Sequence, residues 1–190
     1  MESVRLQCRC GTVRGVIQHI KPGQGNRLVC YCQDCRAFAS KLDAGDDALN
    51  ALGGTEILQV PPAAIAIGQG HEHLACLRLS DKGLYRWYAA CCNTPIGNTV
   101  GARLPFVGIL SAFLAPGQDV DATLGPVLGA VHVRHALGRV PDEARGPYSH
   151  RRLVLRILAK LLVWKLAGKG RPNPFFDDQG RPVAQPEVVS

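Results

Sequence analysis

Apolar and polar positions along roughly the first 110 residues alternate in short blocks. "LQCRCGTVRGVIQ" alternates around a glycine and predicts a hairpin. Turn signals at Gly53-Gly54, Pro61-Pro62, Gly68-Gln69-Gly70 and Asp81-Lys82-Gly83 bound "TEILQV", "AAIAIG", "HLACLRLS" and "LYRWYAA", each of strand length. "RLPFVGILSAFLAP" is a further apolar run, and "DDALNALGG" has room for one or two helical turns ending at its glycines. Short runs between turn clusters predict antiparallel sheets rather than βαβ units, so the fold class is mainly β. Over 122–140, Gly and Pro interrupt every periodicity. After Pro147 the period changes to that of a helix: "SHRRLVLRILAKLLVWKLAGKG" has a cap at Ser149 and a stop at Gly168. Arg152, Arg156 and Lys160 form one narrow strip on that helix, with apolar residues over most of the rest, which predicts burial on more than one side. The helix would dock on the β domain or on a second copy, with a membrane surface third because Lys165 interrupts the apolar arc. The division is a β domain over 1–147, a basic helix over 148–170 and a Pro-rich extended tail over 171–190.

A hydrophobic fraction of 46% with 19% charged residues excludes a disordered chain. No run approaches the ~18 uncharged apolar residues of a membrane span. "MESVRLQCRCGTVRG" has no apolar leader segment, so the cytoplasm is the expected compartment. Clustered thiols there point to metal more than to disulfides. The net charge of +7 is concentrated: residues 134–171 hold ten Lys/Arg against two Asp/Glu. Such a segment is a solvated helix face in its simpler reading, or a site for nucleic acid or anionic lipid.

Seven of the eight cysteines fall into three clusters: Cys8 and Cys10; Cys30, Cys32 and Cys35; Cys91 and Cys92. In a strand, residues i and i+2 point to one side, so C-x-C aims two sulfurs at one ion, while C-x-x-C does so through a tight turn. A C-x-C pair is poorly shaped for an internal disulfide. Zinc suits sulfur-rich tetrahedral ligation, although iron has the same spacing requirements. Structural zinc sites are closed by four protein ligands and catalytic ones present three. "CYCQDC" supplies three sulfurs from one stretch, an open site by itself. Cys8 and Cys10 have only the 91–92 cluster left to complete theirs. Two zinc ions are expected, or one if Cys91 and Cys92, adjacent in a strand and so pointing to opposite faces, fail to converge without a local turn.

"CRCGTVRG", "VCYCQDCRAFA" and "YAACCNTPIGN" resemble, in order, the three signatures of the glutathione-dependent formaldehyde-activating enzyme family, which includes centromere protein V. The resemblance spans about 6–108. It implies a β-tent of small antiparallel sheets around zinc, with a C-terminal helix here in addition. It further implies that Cys8, Cys10 and Cys92 hold a structural zinc and that Cys30, Cys32 and Cys35 hold the functional one. This chain departs from the family pattern at Ala89, where the family has a cysteine, and at Asn93, where it has glycine. Cys91 is the substitute ligand for Ala89.

The chemistry so implied is of carbon–sulfur lyase type, on glutathione-like thiol adducts of small aldehydes, with no catalytic residue assigned beyond the metal site. A small thiol or its aldehyde adduct is the implied partner. Arg9, Arg14 and Arg36 stand beside the clusters in sequence and either offset thiolate charge or are surface arginines. Asp34 shapes the turn or is the donor that steadies a developing oxyanion; Tyr31 is a wall residue or core. "HEH" at 71–73 reads as a solvated loop and Cys76 as core. The alternative function is a non-catalytic zinc module whose basic helix recruits a protein, nucleic acid or membrane, or forms a homo-oligomer.

Overall fold

The structure is a computed structural model that describes residues 3–189; Met1, Glu2 and Ser190, at the ends of the predicted β domain and tail, lie outside the described residues. It is mainly β, with eleven strands in two sheets and a C-terminal helix among the described residues. The strands are β1 (Val4–Gln7), β2 (Arg14–Ile17), β3 (Asn26–Cys30), β4 (Thr55–Val60), β5 (Ile65–Gln69), β6 (Leu74–Arg78), β7 (Tyr85–Ala89), β8 (Thr94–Thr99), β9 (Val107–Leu110), β10 (Gly129–Val131) and β11 (Glu187–Val188). The predicted hairpin is present, with Val4 opposite Ile17 and Gln7 opposite Arg14. It continues antiparallel into β5 to make a sheet of order β1-β2-β5. The larger sheet runs β10-β3-β4-β9-β8-β7-β6-β11, antiparallel except at its two outer pairs.

The main core lies between the sheets. Val4, Leu6 and Ile17 from β1–β2 meet Leu58, Val60, Trp87, Ile96, Val107 and Ile109 from the larger sheet. The other face of that sheet is covered by α1 (Gln33–Lys41) and α4 (His150–Leu166). There Phe38 and Leu42 pack with Leu77 and Leu110, while Leu153 packs with Leu28 and Ile57. Two shorter helices, α2 (Gly45–Ala48) and α3 (Val120–Leu124), cap connections. With both faces covered, β8 and β9 are buried at every position, which removes the alternation that a half-exposed strand would show in sequence.

Pro95 lies inside β8, away from any sheet edge. A bulge accommodates it: Trp87 faces Gly97 and Tyr88 faces Pro95, leaving Ile96 unmatched. A proline lacks the N–H that a regular central ladder uses, and a bulge removes that requirement.

The helix α4 begins and ends at the predicted signals, with Ser149 Oγ accepting from Arg152 N and Gly168 at φ +66°. Its orientation differs from the sequence expectation. Leu153, Ile157 and Trp164 face the protein together with Arg156, whose Nε donates to Asn26 Oδ1 at 2.8 Å and whose Nη2 donates to the Gly23 carbonyl at 2.7 Å. The buried Asn26 amide oxygen needs a donor, so Arg156 turns inward while Arg152 stays exposed, and a single face of the helix is buried.

The tail, predicted as extended, returns to the core. Phe175 and Phe176 are buried against Trp87, with Phe175 and Trp87 ring centroids 5.0 Å apart. The pair covers one end of the inter-sheet core. Phe175→Ala is expected to lower unfolding stability by about 3–5 kcal/mol, as for other buried aromatic truncations, in urea titrations followed by tryptophan fluorescence; a loss below about 1 kcal/mol would show that the tail is not part of the cooperative core.

Candidate metal centres

Two groups of sulfurs converge. Cys8, Cys10, Cys91 and Cys92 have all four Sγ atoms within 4.8 Å of one another, and so do Cys30, Cys32 and Cys35. All eight cysteines are free thiols.

The four-sulfur group is built from two turns that meet, one after β1 and one between β7 and β8. Cys8 and Cys10 follow β1 in a turn, not in the strand itself, closed by Gly11 N to Cys8 O and by Cys8 N to Val13 O. Gly11 takes φ +78°, the left-handed geometry that glycine adopts without strain. Cys91 and Cys92 lie in the β7–β8 turn, where Cys92 N donates to Ala89 O. That turn removes the conflict of adjacent residues on opposite faces. Asn93 completes it at φ 57°, a conformation that Asn tolerates better than most residues and glycine adopts freely. Ala89 itself is buried at the end of β7, in the core cluster that also holds Cys8. Arg9 holds the two turns together: its backbone N–H donates to Thr94 Oγ1 and its Nη2 to the Cys92 carbonyl, while Nη1 pairs with Asp47 at 3.0 Å. Arg14 donates to the Gly11 carbonyl.

Sulfur separations test whether an ion fits. Four sulfurs about 2.3 Å from a tetrahedral zinc lie about 3.8 Å apart. Here Cys8–Cys10 is 3.5 Å, Cys10–Cys91 3.4 Å, Cys8–Cys91 3.9 Å and Cys91–Cys92 3.9 Å. Four of the six separations thus match a tetrathiolate, and the two from Cys92 to Cys8 and Cys10 lie within 4.8 Å. The electrostatics alternate around the group. The Thr12 hydroxyl and backbone N–H hold Cys10 down to about 6. Burial raises Cys8, and burial with the Cys10 and Cys8 sulfurs pushes Cys91 up to about 12. Burial also acts upward on Cys92, but the Thr94 hydroxyl and the Cys10 backbone outweigh it and lower the thiol overall. Neighbouring sulfurs cannot all ionise without a cation, and a divalent ion relieves that constraint.

The three-sulfur group sits at a strand-to-helix junction. Cys30 ends β3, Cys32 is the N-cap of α1, and Cys35 lies in its first turn. Cys32 Sγ accepts from Cys35 N at 3.3 Å and lies 3.2 Å from Cys35 Sγ. An N-cap thiolate takes the place of the usual cap oxygen and benefits from the helix dipole. Hydrogen bonds from Cys30 and then Cys35 hold Cys32 down to about 2, whereas Cys32 raises Cys30 to about 11, and Cys30 and Cys32 raise Cys35. Cys30 and Cys35 are buried and Cys32 is half-buried, so solvent reaches the group at Cys32. Tyr31 is core: its ring closes over Gly54, where a Cβ would come within 2.5 Å of it, and its hydroxyl accepts from Asn50. Arg36 ties the junction down by donating to the Tyr31 and His135 carbonyls.

One residue that sequence spacing does not indicate completes this centre. Arg86, on β7, is 2% exposed and lies on the sheet face that carries α1. Its Nη1 donates to Asn98 Oδ1 at 3.3 Å, its Nη2 pairs with exposed Asp34 at 3.4 Å, and its Nε has no partner. Its charge also lowers Cys32. The strand register puts Thr55 directly across from Cys30, and Thr55 Oγ1 is the other buried polar side-chain atom without a partner among the described residues. A buried guanidinium held by one exposed carboxylate is under-compensated. Three thiolates around a divalent ion, of net charge −1, would supply the missing counter-charge. Nothing in the local sequence around the cysteines points to Arg86; only the pairing of distant strands brings it there.

The remaining candidates stay apart. His71 and His73 occupy a 3-10 turn at the surface, and Cys76 is buried, its thiol pushed up to about 12 by desolvation. Neither joins a metal-capable group.

A family model described as "Family of unknown function (DUF6151)" matches residues 1–187. No curated protein matches the chain. Among solved structures, a crystal structure of a Rhodobacter sphaeroides protein is similar at a TM-score of 0.43 and 16% identity, covering 62% of this chain and 93% of that one.

Elemental analysis of the purified protein is expected to find about two divalent ions per chain. Cys32→Ser is expected to lose one, Cys10→Ser the other, and Cys91→Ser to weaken the second site rather than the first; an unchanged metal content in Cys91→Ser would remove it from the ligand set. Arg86→Met is expected to weaken the three-sulfur site about 10–100-fold, the usual effect of outer-shell partners, in chelator competition, with Arg86→Lys recovering part of the loss and the four-sulfur site unaffected.

Proposed function

We propose that this chain, which belongs to DUF6151, is a zinc protein that makes and breaks carbon–sulfur bonds in thiol adducts of small aldehydes. The observation that carries the reading is the inequality of the two centres: one has four sulfurs, and the other three with no further His, Cys, Asp or Glu gathered among the described residues. The three-motif resemblance to the glutathione-dependent formaldehyde-activating family supports the same division of labour. In this reading the four-sulfur centre ties the β1–β2 hairpin to the β7–β8 turn and the three-sulfur centre is the working one.

Bound zinc supplies an electrophilic position that stabilises a thiolate at neutral pH. The chain's own residues set the rest. Cys32, half-buried at the N-cap of α1, marks the side on which a small thiol enters. Arg86, buried behind it, offers a fixed positive charge that offsets the thiolates without a competing hydration shell. Asp34 is exposed in the first turn of α1 and stands where a proton can be passed to or from water. In the breaking direction the adduct's carbon–sulfur bond cleaves with its electron pair going to sulfur. The adduct's hydroxyl proton leaves to a base, and thiol and aldehyde separate without any change of oxidation state.

The test is exchange spectroscopy by NMR on formaldehyde and glutathione mixed with the zinc-loaded protein. Interconversion of adduct and free thiol is expected to accelerate over buffer, to fall to the buffer rate in Cys32→Ser, and to persist at reduced rate in Asp34→Asn. Equal rates for wild type, Cys32→Ser and buffer, with two zinc ions present in the wild type, would refute the lyase reading while leaving the metal centres intact.

A further inference from the structure

The side of α4 that faces away from the protein is apolar. Leu155, Leu158, Leu162 and Leu166 are 68%, 56%, 58% and 80% exposed. Their spacing of three, then four, then four residues stacks them along one face. Single exposed leucines are ordinary on a protein surface, but a continuous stripe over three turns is not. The stripe has basic ends. Arg151 and Arg152 are exposed at the first turn, and Lys165 and Lys169 at or just beyond the last. No Asp or Glu occurs anywhere over 150–170. The apolar body and cationic ends are kept in register by contacts on the opposite face: Leu153 and Trp164 are buried there, and Arg156 is held by Asn26 and the Gly23 carbonyl.

We propose that α4 docks in the plane of an anionic lipid surface, its leucines entering the boundary between headgroups and acyl chains and the four exposed cations meeting lipid phosphates. Charge complementarity selects this occupant. A second copy packing stripe to stripe in antiparallel fashion, centred between residues 160 and 161, would set Arg152 of one copy against Lys169 of the other, since the two lie equally far from that centre. A parallel pair would oppose each cation to itself. Both arrangements bring like charges into an apolar contact. A nucleic acid would satisfy the cations and leave the leucines in water. Only a surface that is apolar beneath and anionic above covers both. Spanning is excluded as the mode: among the described residues no helix is long and apolar enough to cross a membrane. The geometry is that of a helix lying flat, with the β-sheets held above it. This inference is independent of the chemistry at the cysteines.

Flotation of the full-length, zinc-loaded protein with vesicles tests it. Binding is expected to vesicles of phosphatidylcholine mixed with phosphatidylglycerol and not to phosphatidylcholine alone, and to weaken as salt is raised. Arg151→Ala and Lys165→Ala are each expected to reduce partitioning about fivefold. The double substitution Leu158→Ser, Leu162→Ser is expected to abolish binding while zinc content and the thermal transition stay as in wild type, both side chains being solvent-exposed. Failure to bind either vesicle overturns the proposal, as does equal binding by the double-leucine variant. A dimer in sedimentation that the same leucine substitutions disperse also overturns it, by identifying a second copy as the occupant.

Discussion

Thiols brought to within 3.4–3.9 Å of each other across more than eighty residues of chain are the constraint around which this molecule is arranged. Sulfurs at that separation repel once ionised and gain little as neutral neighbours, so their convergence calls for a cation between them. The chain meets that requirement with turns rather than with strands. Gly11 and Asn93, each at positive φ, fold two loops so that four sulfurs face one point, and Arg9 bridges the loops through Thr94 and the Cys92 carbonyl. The hairpin and the centre of the large sheet are thereby joined at the rim of the core that they share.

The second cluster uses the same element type to a different end. A strand stops at Cys30, a helix starts at Gln33, and the cap position between them is a cysteine rather than Ser, Asp or Asn. Helix α1 therefore carries the polarity of its first turn into the cluster, and Phe38 on its inner face supports the guanidinium of Arg86, 5.5 Å from the ring centroid. Metal-capable sulfur, helix dipole and buried charge occupy one small volume on the outer face of the large sheet. That concentration of opposing charges distinguishes this centre from its four-sulfur counterpart, where the neighbouring Arg9 is exposed and already paired with Asp47.

Much of this was legible in the sequence because it is local. The turn signals at Gly53-Gly54, Pro61-Pro62 and Asp81-Lys82-Gly83 fall between strands, whereas Gly68 and Gln69 belong to β5; Ser149 and Gly168 marked α4. The cysteine spacings named all seven sulfurs that cluster. What sequence could not supply is non-local. β3 and α1 share the "VCYCQDCRAFA" stretch, where cysteine density hid both the strand and the helix start. β8, buried on both faces and carrying Pro95, shows no alternation to read. Arg86 resembles any other charge in a strand until β7 is placed opposite Asn98 and beneath α1. The reading of α4 expected burial on more than one side where only one face is buried, because helical periodicity cannot tell whether Arg156 seeks water or the carbonyls of the loop at Gly23 and Gly25. The proline-rich end looked like a tail, since two adjacent phenylalanines carry no period at all.

Phe175 and Phe176 have a further consequence for how the molecule comes into being. The core they complete begins with Val4 and Leu6, so its first and last contributors are separated by about 170 residues of synthesis. Until position 176 has left the ribosome, Trp87 and Tyr85 lack their aromatic cover, and the nascent sheet presents an oily edge to chaperones and to other chains. Final closure is therefore a late event in biogenesis, after all seven clustered thiols have been translated and are free to converge.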